Sequence, residues 1–424
     1  MIILQYQNHK TMLQNFKGDL LGGITAGIVA LPLALAFGLQ SGLGASAGLY
    51  GAIFIGFFAA LFGGTSTQIS GPTAPMTAVS LVAVATILHA NNGDITKALP
   101  LILCVFFAAG IFQILFGLLK LGSLIKYIPS TVVSGFMTGI GCIILITQLP
   151  NVLGFKAGGV LASIESIPHA ITHIKITEFV LAIATIAIIY GFKKITKAVP
   201  STLVALFAVT IASVVFLDPA SFGIIGNIPT GFPKLNFDIF TSFSFGTFTP
   251  YILTSLSLAL LGTIDSLLTS VVADNMTDTK HNSNKELIGQ GIGNSIAALF
   301  GGIPGAGATI RTVVNIDAGG KTKLSGMAAA ILLLFFLMIL GPLASHIPNA
   351  VLAGILVTVG IGVMDKKTLK NIHNLPIKDV LVMFLVLTLT VFWDLIFAVA
   401  IGVIVSYTFK VFSNYNKRRK IKMA

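Results

Sequence analysis

Two residues within long apolar stretches of the sequence carry the chemistry that a buried ion site requires. Asp265 lies in LALLGTIDSLLTSVV, and Thr269 follows four residues later, on the same face of a helix. A carboxylate and a hydroxyl, joined by backbone carbonyls, suit a hard cation such as sodium, and the carboxylate could instead carry a proton. The alternative is a structural Asp265, satisfied by a buried N–H group or a basic side chain.

Arg311 is the arginine that stands inside the same kind of apolar stretch. Buried charges in such stretches are costly and indicate function. Its planar, permanently charged guanidinium suits a bidentate contact with an oxyanion. Alternatively, Arg311 pairs with Asp265 and neutralises it, and that site would need no sodium to balance its charge.

Arg311 follows the second of two copies of a repeated sequence pattern. The hexapeptide AALFGG occurs at 59–64 and at 297–302, and a segment broken by glycine and proline, then a new apolar helix, follows each copy. Paired breaks of this kind mark the binding site of an inverted-repeat transporter, because the helix N-termini that follow them converge at the midplane and favour an anion. The alternative is that the glycines serve only close helix packing. The residues that open the two helices are Ser70, Gly71, Pro72, Thr73 and Ala74 in the first copy, and Gly305, Ala306, Gly307, Ala308 and Thr309 in the second.

The composition requires that a membrane surrounds these residues. Of the 424 residues, 55% are hydrophobic and 9% are charged, whereas about a quarter of the residues of a soluble domain are charged. The long apolar runs predict an all-α polytopic membrane protein of about fourteen spans. The first seven are 20–40, 44–63, 72–90, 98–119, 127–148, 177–192 and 199–217; the others are 248–272, 287–301, 308–318, 324–344, 348–364, 378–393 and 395–411.

The third and tenth spans are too short to cross a membrane alone, so we predict that each is a half-helix preceded by an extended segment, at 66–71 and at 303–307. The chain then divides into a first repeat at 1–217, an outer connector at 218–247 and a second repeat at 248–424.

The positive charges give the orientation. The fourteen-span topology places 21 of the 26 lysines and arginines on one side and Arg311 within the membrane, and it leaves four on the other side: Lys97, Lys156, Lys175 and Lys234. Because positive charge accumulates on the cytoplasmic side, we predict that both termini are cytoplasmic in an inner (plasma) membrane. Basic residues at the ends of apolar runs set orientation, so the net charge of +12 does not indicate a nucleic-acid partner.

Several function classes lack their signatures in this sequence. No P-loop, dinucleotide fingerprint or nucleophile–base pattern occurs, which argues against an enzyme and against an ATP-driven pump. No cofactor is expected beyond a coupling ion such as sodium. Cys104 and Cys142 lie in apolar runs, which favours core packing over a disulfide.

Four stretches give the chain its family resemblance. They are GDLLGGITAGIVALPLALAFGL at 18–39, AGLYGAIFIGFFAALFGGTSTQISGPTAPMT at 47–77, IDSLLTSVVADNMTDTKHNSNKELIGQGIGN at 264–294 and GGIPGAGATIRTVVNIDAGGKTKLSG at 301–326. Through them the chain resembles the sulfate permease (SulP) family of anion transporters, and within it the cyanobacterial sodium-dependent bicarbonate transporters.

The resemblance implies a seven-plus-seven inverted repeat, shared with the uracil permeases. Spans 1–4 and 8–11 would form a core that moves like an elevator against a gate formed by spans 5–7 and 12–14. It also implies a lipid-embedded, dimeric protein, and site residues follow from the matched positions. The sodium site would be formed by Asp265, Thr269 and the backbone around Gly307 and Ala308, and the bicarbonate site by Thr73, Ala74, Ala308 and Thr309, with Phe37 lining the anion pocket.

Two departures from the family pattern leave alternatives open. Most members carry a C-terminal cytoplasmic STAS domain, and this chain shows none. Arg311 matches a position that is basic in many anion exchangers and small in the bicarbonate type. We therefore expect a secondary active transporter of bicarbonate with sodium, with proton-coupled transport of sulfate or a dicarboxylate as the second possibility. A passive anion channel or exchanger, a substrate sensor and a nucleobase permease are further alternatives; the buried carboxylate of Asp265 argues against a simple channel.

Overall fold

A computed structural model describes residues 15–123, 129–156, 159–196, 199–226, 228–229, 231–241, 244–393 and 395–423. The helices of the first half are α1 (Phe16–Gln40), α2 (Ala45–Phe62), α3 (Ala74–Ala90), α4 (Ile95–Leu118), α5 (Ser130–Val152), α6 (Val160–Thr172), α7 (Ile176–Ile195) and α8 (Ser201–Phe216). Those of the second half are α9 (Ile252–Thr277), α10 (Ser283–Leu299), α11 (Thr309–Asp317), α12 (Lys323–Ala344), α13 (Asn349–Val363), α14 (Ile377–Phe392) and α15 (Leu395–Met423). The connections contain short helical segments at Asp238–Thr241, Phe245–Phe248 and Lys366–Lys370 and 3-10 turns at Pro219–Ser221, Thr249–Tyr251 and Ile372–Asn374.

The predicted spans are present as helices. Seven helices in the described part are long and apolar enough to cross a membrane, and four shorter apolar helices accompany them. With α10, α11 and α14 they make up the fourteen spans, and all but one of their ends lie within about five residues of the predicted ends. The exception is α15, which continues to Met423 rather than ending at 411.

Helix α6 is an addition to the predicted spans, and it lies in the connection between the fifth predicted span, which ends at 148, and the sixth, which begins at 177. Its sequence is VLASIESIPHAIT, with apolar side chains at helical spacing, and Leu161, Ile164 and Ile171 are exposed. A helix of 13 residues is too short to cross a bilayer. A short amphipathic helix contains no long apolar run, so the pattern that predicts membrane spans does not reveal it.

The helices divide into two packed groups, which confirms the predicted core and gate. In the core, α4 and α2 pack against α10, and α1 and α2 pack against α12. In the gate, α5 packs against α13 and α14, and α7 packs against α13. Small residues allow the closest crossings: a Cβ on Gly291 of α10 would lie 2.5 Å from the carbonyl oxygen of Gly110 on α4.

The two predicted extended segments meet inside the core. Strand β1 (Ser70–Gly71) pairs antiparallel with β2 (Ala306–Gly307), so that Ser70 lies opposite Gly307. The Ala308 N–H donates to the Ile69 carbonyl at 2.8 Å and extends the pairing. Gly305 allows this crossing because a Cβ there would lie 2.1 Å from the Gly71 carbonyl oxygen. Helices α3 and α11 therefore begin next to the point where the two breaks cross.

Candidate functional site

Helix α9 bonds to both breaks, to the first through Ser270 and to the second through the contacts that follow. The Thr269 hydroxyl donates to the Gly307 carbonyl at 3.0 Å and lies 2.8 Å from the Thr309 hydroxyl. One turn earlier, the Ser266 hydroxyl accepts a hydrogen bond from the Gly307 N–H at 3.0 Å. The backbone of Gly307 is thus held on both sides by α9, and Asp265 projects from the helix face that carries Thr269.

Asp265 connects this arrangement to the first break. Its side chain is partly exposed, yet its Oδ2 atom is shielded and has no hydrogen-bond partner among the described residues. The Thr73 hydroxyl lies beside the carboxylate, and the Thr73 oxygen also lacks a well-formed hydrogen bond within the described part. A carboxylate oxygen and a hydroxyl, one from α9 and one from the start of α3, are therefore available to a ligand.

Arg311 reaches from the second break to the first. It is 2% exposed, and its Nη2 donates to the Pro72 carbonyl at 2.6 Å, while its Nε has no partner in the described structure. Gly71 makes room for it: Gly71 has φ +151°, and a Cβ there would lie 2.8 Å from Arg311 Nη1. The guanidinium keeps at least one donor free for an anion.

Arg311 and Asp265 do not form the contact ion pair that was one alternative. Their opposite charges attract each other through space. No nitrogen–oxygen distance between these two described residues falls within the 4.0 Å of an ion pair, however. The Asp265 carboxyl and the Arg311 guanidinium therefore share the site without direct contact, and neutral oxygens lie around them.

The other predicted site residues differ in how far they are available. Phe37 on α1 and Ala74, the first residue of α3, are buried in the same apolar cluster. Ala308 caps α11 and is partly exposed, and Thr309 is exposed. Ser70 is buried, and its hydroxyl accepts a hydrogen bond from the Gln290 amide at 2.6 Å. The Ser70 hydroxyl is therefore already engaged by α10, whereas the second break is open to a ligand.

A row of polar side chains on α10 supports the first break. These side chains were not among the predicted site residues. Glu286 is 1% exposed. Its Oε2 accepts from the backbone N–H groups of Gly64 and Thr65, each at 2.8 Å. Its Oε1 accepts from the Gln68 and Gln290 amides, each at 2.8 Å. One buried carboxylate thus satisfies four donors, three of them at the start of the first break, which lets this irregular backbone be buried.

Asn294, one turn further along α10, supports the second break. Its Oδ1 accepts from the Gly305 N–H at 2.8 Å, and its Nδ2 donates to the Gly305 carbonyl at 3.0 Å and to Gln113 of α4 at 2.7 Å. A signal for this row is visible in NKELIGQGIGN, where Glu286, Gln290 and Asn294 follow one another at intervals of four. That spacing places all three on one face of a helix inside an apolar span.

The structure therefore combines, in one place, two helix N-termini, an unpaired carboxylate oxygen, hydroxyls from both breaks and a buried guanidinium. Helix N-termini and a guanidinium stabilise an anion, and a carboxylate with neutral oxygens stabilises a hard cation. Groups of three or more histidine, cysteine or acidic side chains that would hold a transition metal are absent from the described residues.

Comparison with known proteins identifies the family of the chain. The model of the sulfate permease family matches residues 16–386. The chain is 47% identical to the bicarbonate transporter BicA of Synechocystis sp. over 94% of this chain and 70% of that protein. It is 48% identical to BicA of Picosynechococcus sp., with the same shares covered.

The fold agrees as well. The structure superposes on the transmembrane domain of a cyanobacterial bicarbonate transporter BicA with a TM-score of 0.83 and 46% identity, over 91% of this chain and 97% of that one. The chain has the seven-plus-seven inverted-repeat architecture of such proteins. It belongs to the sulfate permease family and is a multi-pass membrane transporter of anions.

Proposed function

We propose that this chain takes up bicarbonate together with sodium across the inner (plasma) membrane. The observation that carries the proposal is the crossing of the two breaks, where Asp265 and Thr269 of α9 lie against the second break and Thr73 of the first break lies beside Asp265. The relatives that are named bicarbonate transporters support the same choice of anion.

The sodium ion, as coupling cargo, would lie on the α9 side of the crossing. The Asp265 carboxylate, the Thr269 hydroxyl and the Gly307 carbonyl supply hard oxygen atoms of the kind that sodium prefers. The shielded Asp265 oxygen without a hydrogen-bond partner fits this role, because a buried carboxylate oxygen needs a cation or a donor.

Bicarbonate would lie between the starts of α3 and α11. The first backbone hydrogen bonds within these helices run from Thr77 to Thr73 and from Thr312 to Ala308. The N–H groups before Thr77 and Thr312 therefore have no acceptor inside their helix and are available to an oxyanion. Thr309 and Arg311 add a hydroxyl and a charged donor at the start of α11.

The balance of charge explains why the two ions would move together. With Asp265 ionised and Arg311 protonated, the empty site is neutral, and it is neutral again when one sodium and one bicarbonate are both bound. Either ion alone leaves one uncompensated charge in a buried site, which is unfavourable. Separated charges that do not form a contact ion pair are the feature that allows both ions to enter.

Movement would follow the division between core and gate. Both breaks and α9 belong to the core, so the core would carry the two ions past the gate by elevator-type alternating access. In this proposal the repeats span 1–217 and 248–424, the connector 218–247 lies outside, and both termini are cytoplasmic.

Proton-coupled transport of sulfate or a dicarboxylate is the second candidate, and Arg311 favours it. A permanent buried cation beside Asp265 provides a positive charge without sodium. Protonation of Asp265 would leave that charge unopposed for a dianion or for one carboxylate.

Uptake into proteoliposomes separates these candidates. Labelled bicarbonate and labelled sulfate are each offered with an inward sodium gradient, with an inward proton gradient or with neither, for the wild type and for Asp265→Asn. We expect sodium-driven bicarbonate uptake that Asp265→Asn abolishes. Proton-driven sulfate uptake that is indifferent to sodium would establish the second candidate, and unsaturable flux without a gradient would indicate a channel.

A further inference from the structure

A polar cavity lies on the predicted outer side of the protein, between the core and the gate. Its volume is about 640 Å³, and helices α1 and α3 of the core and α5, α7 and α13 of the gate line it. Asp265, Thr269 and Arg311 are not among its lining residues. The cavity is therefore distinct from the site at the crossing of the two breaks.

The walls of this outer cavity carry polar atoms that the protein itself does not satisfy. Gln40 of α1 is 8% exposed, and neither its amide nitrogen nor its amide oxygen has a hydrogen-bond partner in the described part of the chain. The Oδ1 atom of Asn349 on α13 also has no hydrogen-bond partner in the described part of the chain. An amide buried without partners costs free energy, so such groups indicate a place where water or a polar ligand completes the hydrogen bonds.

Two lysines line the same cavity and are exposed. The side chain of Lys175 runs along Gly154, and its ammonium lies 5.5 Å from the centre of the Phe155 ring. Lys156 follows Phe155 directly, and both lysines line the cavity. These are two of the four lysines that the fourteen-span topology places outside. The same outer segments also carry acidic residues: Asp94, Glu165, Asp218 and Asp238.

Two positively charged side chains thus line one cavity, on a face that carries acidic residues as well. A cleft with charge of one sign raises the local concentration of counter-ions. Glu178 opposes this effect inside the cavity: its Oε1 accepts from the Gly223 N–H at 2.7 Å, and its Oε2 has no partner among the described residues. A carboxylate near the lysines keeps the attraction weak, which a site on a transport path requires so that the ion can leave again.

We propose that this cavity is a second, weak binding site for small inorganic oxyanions, at which external substrate collects before it reaches the crossing of the breaks. Lys156 and Lys175 attract the anion, and the Gln40 amide donates to it. The side of the membrane assumed here rests on the proposed orientation; the presence of an anion site in the cavity does not.

The test measures the initial rate of uptake against the external anion concentration for Lys156→Gln, Lys175→Gln and the double variant. We expect each single variant to raise KM about threefold with little change in the maximal rate, since one exposed charge acts through water. The increase should shrink in concentrated salt, because screening removes the effect of the lysine. Lys97→Gln is the matched control, as Lys97 lies on the same outer face but does not line the cavity.

Glu178→Gln should change KM in the opposite direction. A variant that is merely misfolded would not lower KM, so this variant separates the two explanations. Glutamine keeps an oxygen for the Gly223 N–H and removes the negative charge, so we expect KM to fall about threefold. Unchanged KM in all variants, a change that high salt does not reduce, or a rise in KM for Glu178→Gln would each overturn the proposal. If the wild type transports sulfate rather than bicarbonate, the same variants are measured with sulfate. The substrate of the wild type therefore tests the proposed function, and the change in KM of the variants tests the cavity.

A labelling experiment tests the cavity without any transport. Gln40→Cys is made in a background in which Cys104 and Cys142 are replaced by serine, and its reaction with anionic and cationic methanethiosulfonate reagents is timed. We expect the ratio of the anionic to the cationic rate to fall about threefold when Lys175→Gln is added, and bicarbonate or sulfate to slow the anionic reaction. Equal ratios with and without Lys175, or no protection by either anion, would contradict the site.

Discussion

The two breaks of this transporter begin with the same hexapeptide and end in different chemistry. The first break is closed: the Glu286 carboxylate holds its backbone, and the Ser70 hydroxyl bonds to Gln290. The second break is held by the neutral Asn294 amide and leads to the exposed Thr309 and to Arg311. Helix α9 bonds to both breaks. The duplicated element thus has a charged support beneath its first copy and a charged side chain at the helix start of its second.

The two breaks also depend on each other through a direct contact. Arg311, from the second break, donates to the Pro72 carbonyl of the first break and fills the space that Gly71 leaves open. The charged residue of one copy is therefore positioned by the backbone of the other.

The largest effect should come from removing the support of the first break. Glu286→Ala removes the acceptor of four hydrogen bonds, at about 1–3 kcal/mol for each buried donor that is left unsatisfied. We expect a loss of folded protein of about tenfold or more, measured as the monodisperse peak in size-exclusion chromatography in detergent. Asn294→Ala removes a neutral amide from the second break and should cost clearly less. Equal yields for the two variants would contradict the contrast between the breaks.

An intermediate effect should come from the contact between α9 and the second break. Thr269→Val keeps the shape of the side chain and removes the hydroxyl that donates to the Gly307 carbonyl. We expect the sodium concentration for half-maximal uptake to rise about tenfold, which corresponds to about 1.4 kcal/mol. Thr269→Ser retains the hydroxyl and should stay within about threefold of the wild type. An unchanged sodium dependence in Thr269→Val would remove this residue from the cation site.

The smallest effect should come from the buried hydroxyl of the first break. Ser70 accepts a hydrogen bond from Gln290 and is 4% exposed. We expect Ser70→Ala to change KM for the anion less than about twofold and to lower thermal stability modestly, by the loss of one hydrogen bond. Thr73→Val, just before the start of α3, should raise KM for the anion more than Ser70→Ala does. A larger change in KM for Ser70→Ala than for Thr73→Val would show that the first break supplies the ligand through Ser70.

Local sequence signals predicted the elements of this structure, and partners distant in the chain were harder to predict. Apolar runs and the paired breaks were sufficient to predict the spans, the half-helices α3 and α11 and the extended segments that became β1 and β2. The pairing of these strands joins Gly71 to Ala306, and periodicity along the chain carries no information about partners so far apart. The contact of Arg311 with the Pro72 carbonyl was missed for the same reason.

Two misses have other physical causes. Helix α6 is too short for a search based on span length. The polar row Glu286, Gln290 and Asn294 lies in a segment that was interpreted only through its family resemblance, although its spacing of four already predicts one buried face. The separation of Asp265 from Arg311 could not be predicted, because it depends on how α9 and α11 pack.

The central claim is that the two ions load as a pair because the empty site is neutral. The most direct measurement is the thermal stability of the purified wild type in detergent with sodium alone, bicarbonate alone and both, with choline and chloride as the replacing ions. Linkage predicts that the increase in Tm with both ions exceeds the sum of the separate increases, and that Asp265→Asn abolishes this excess. Increases in Tm that simply add, or an excess that persists in Asp265→Asn, would contradict the account.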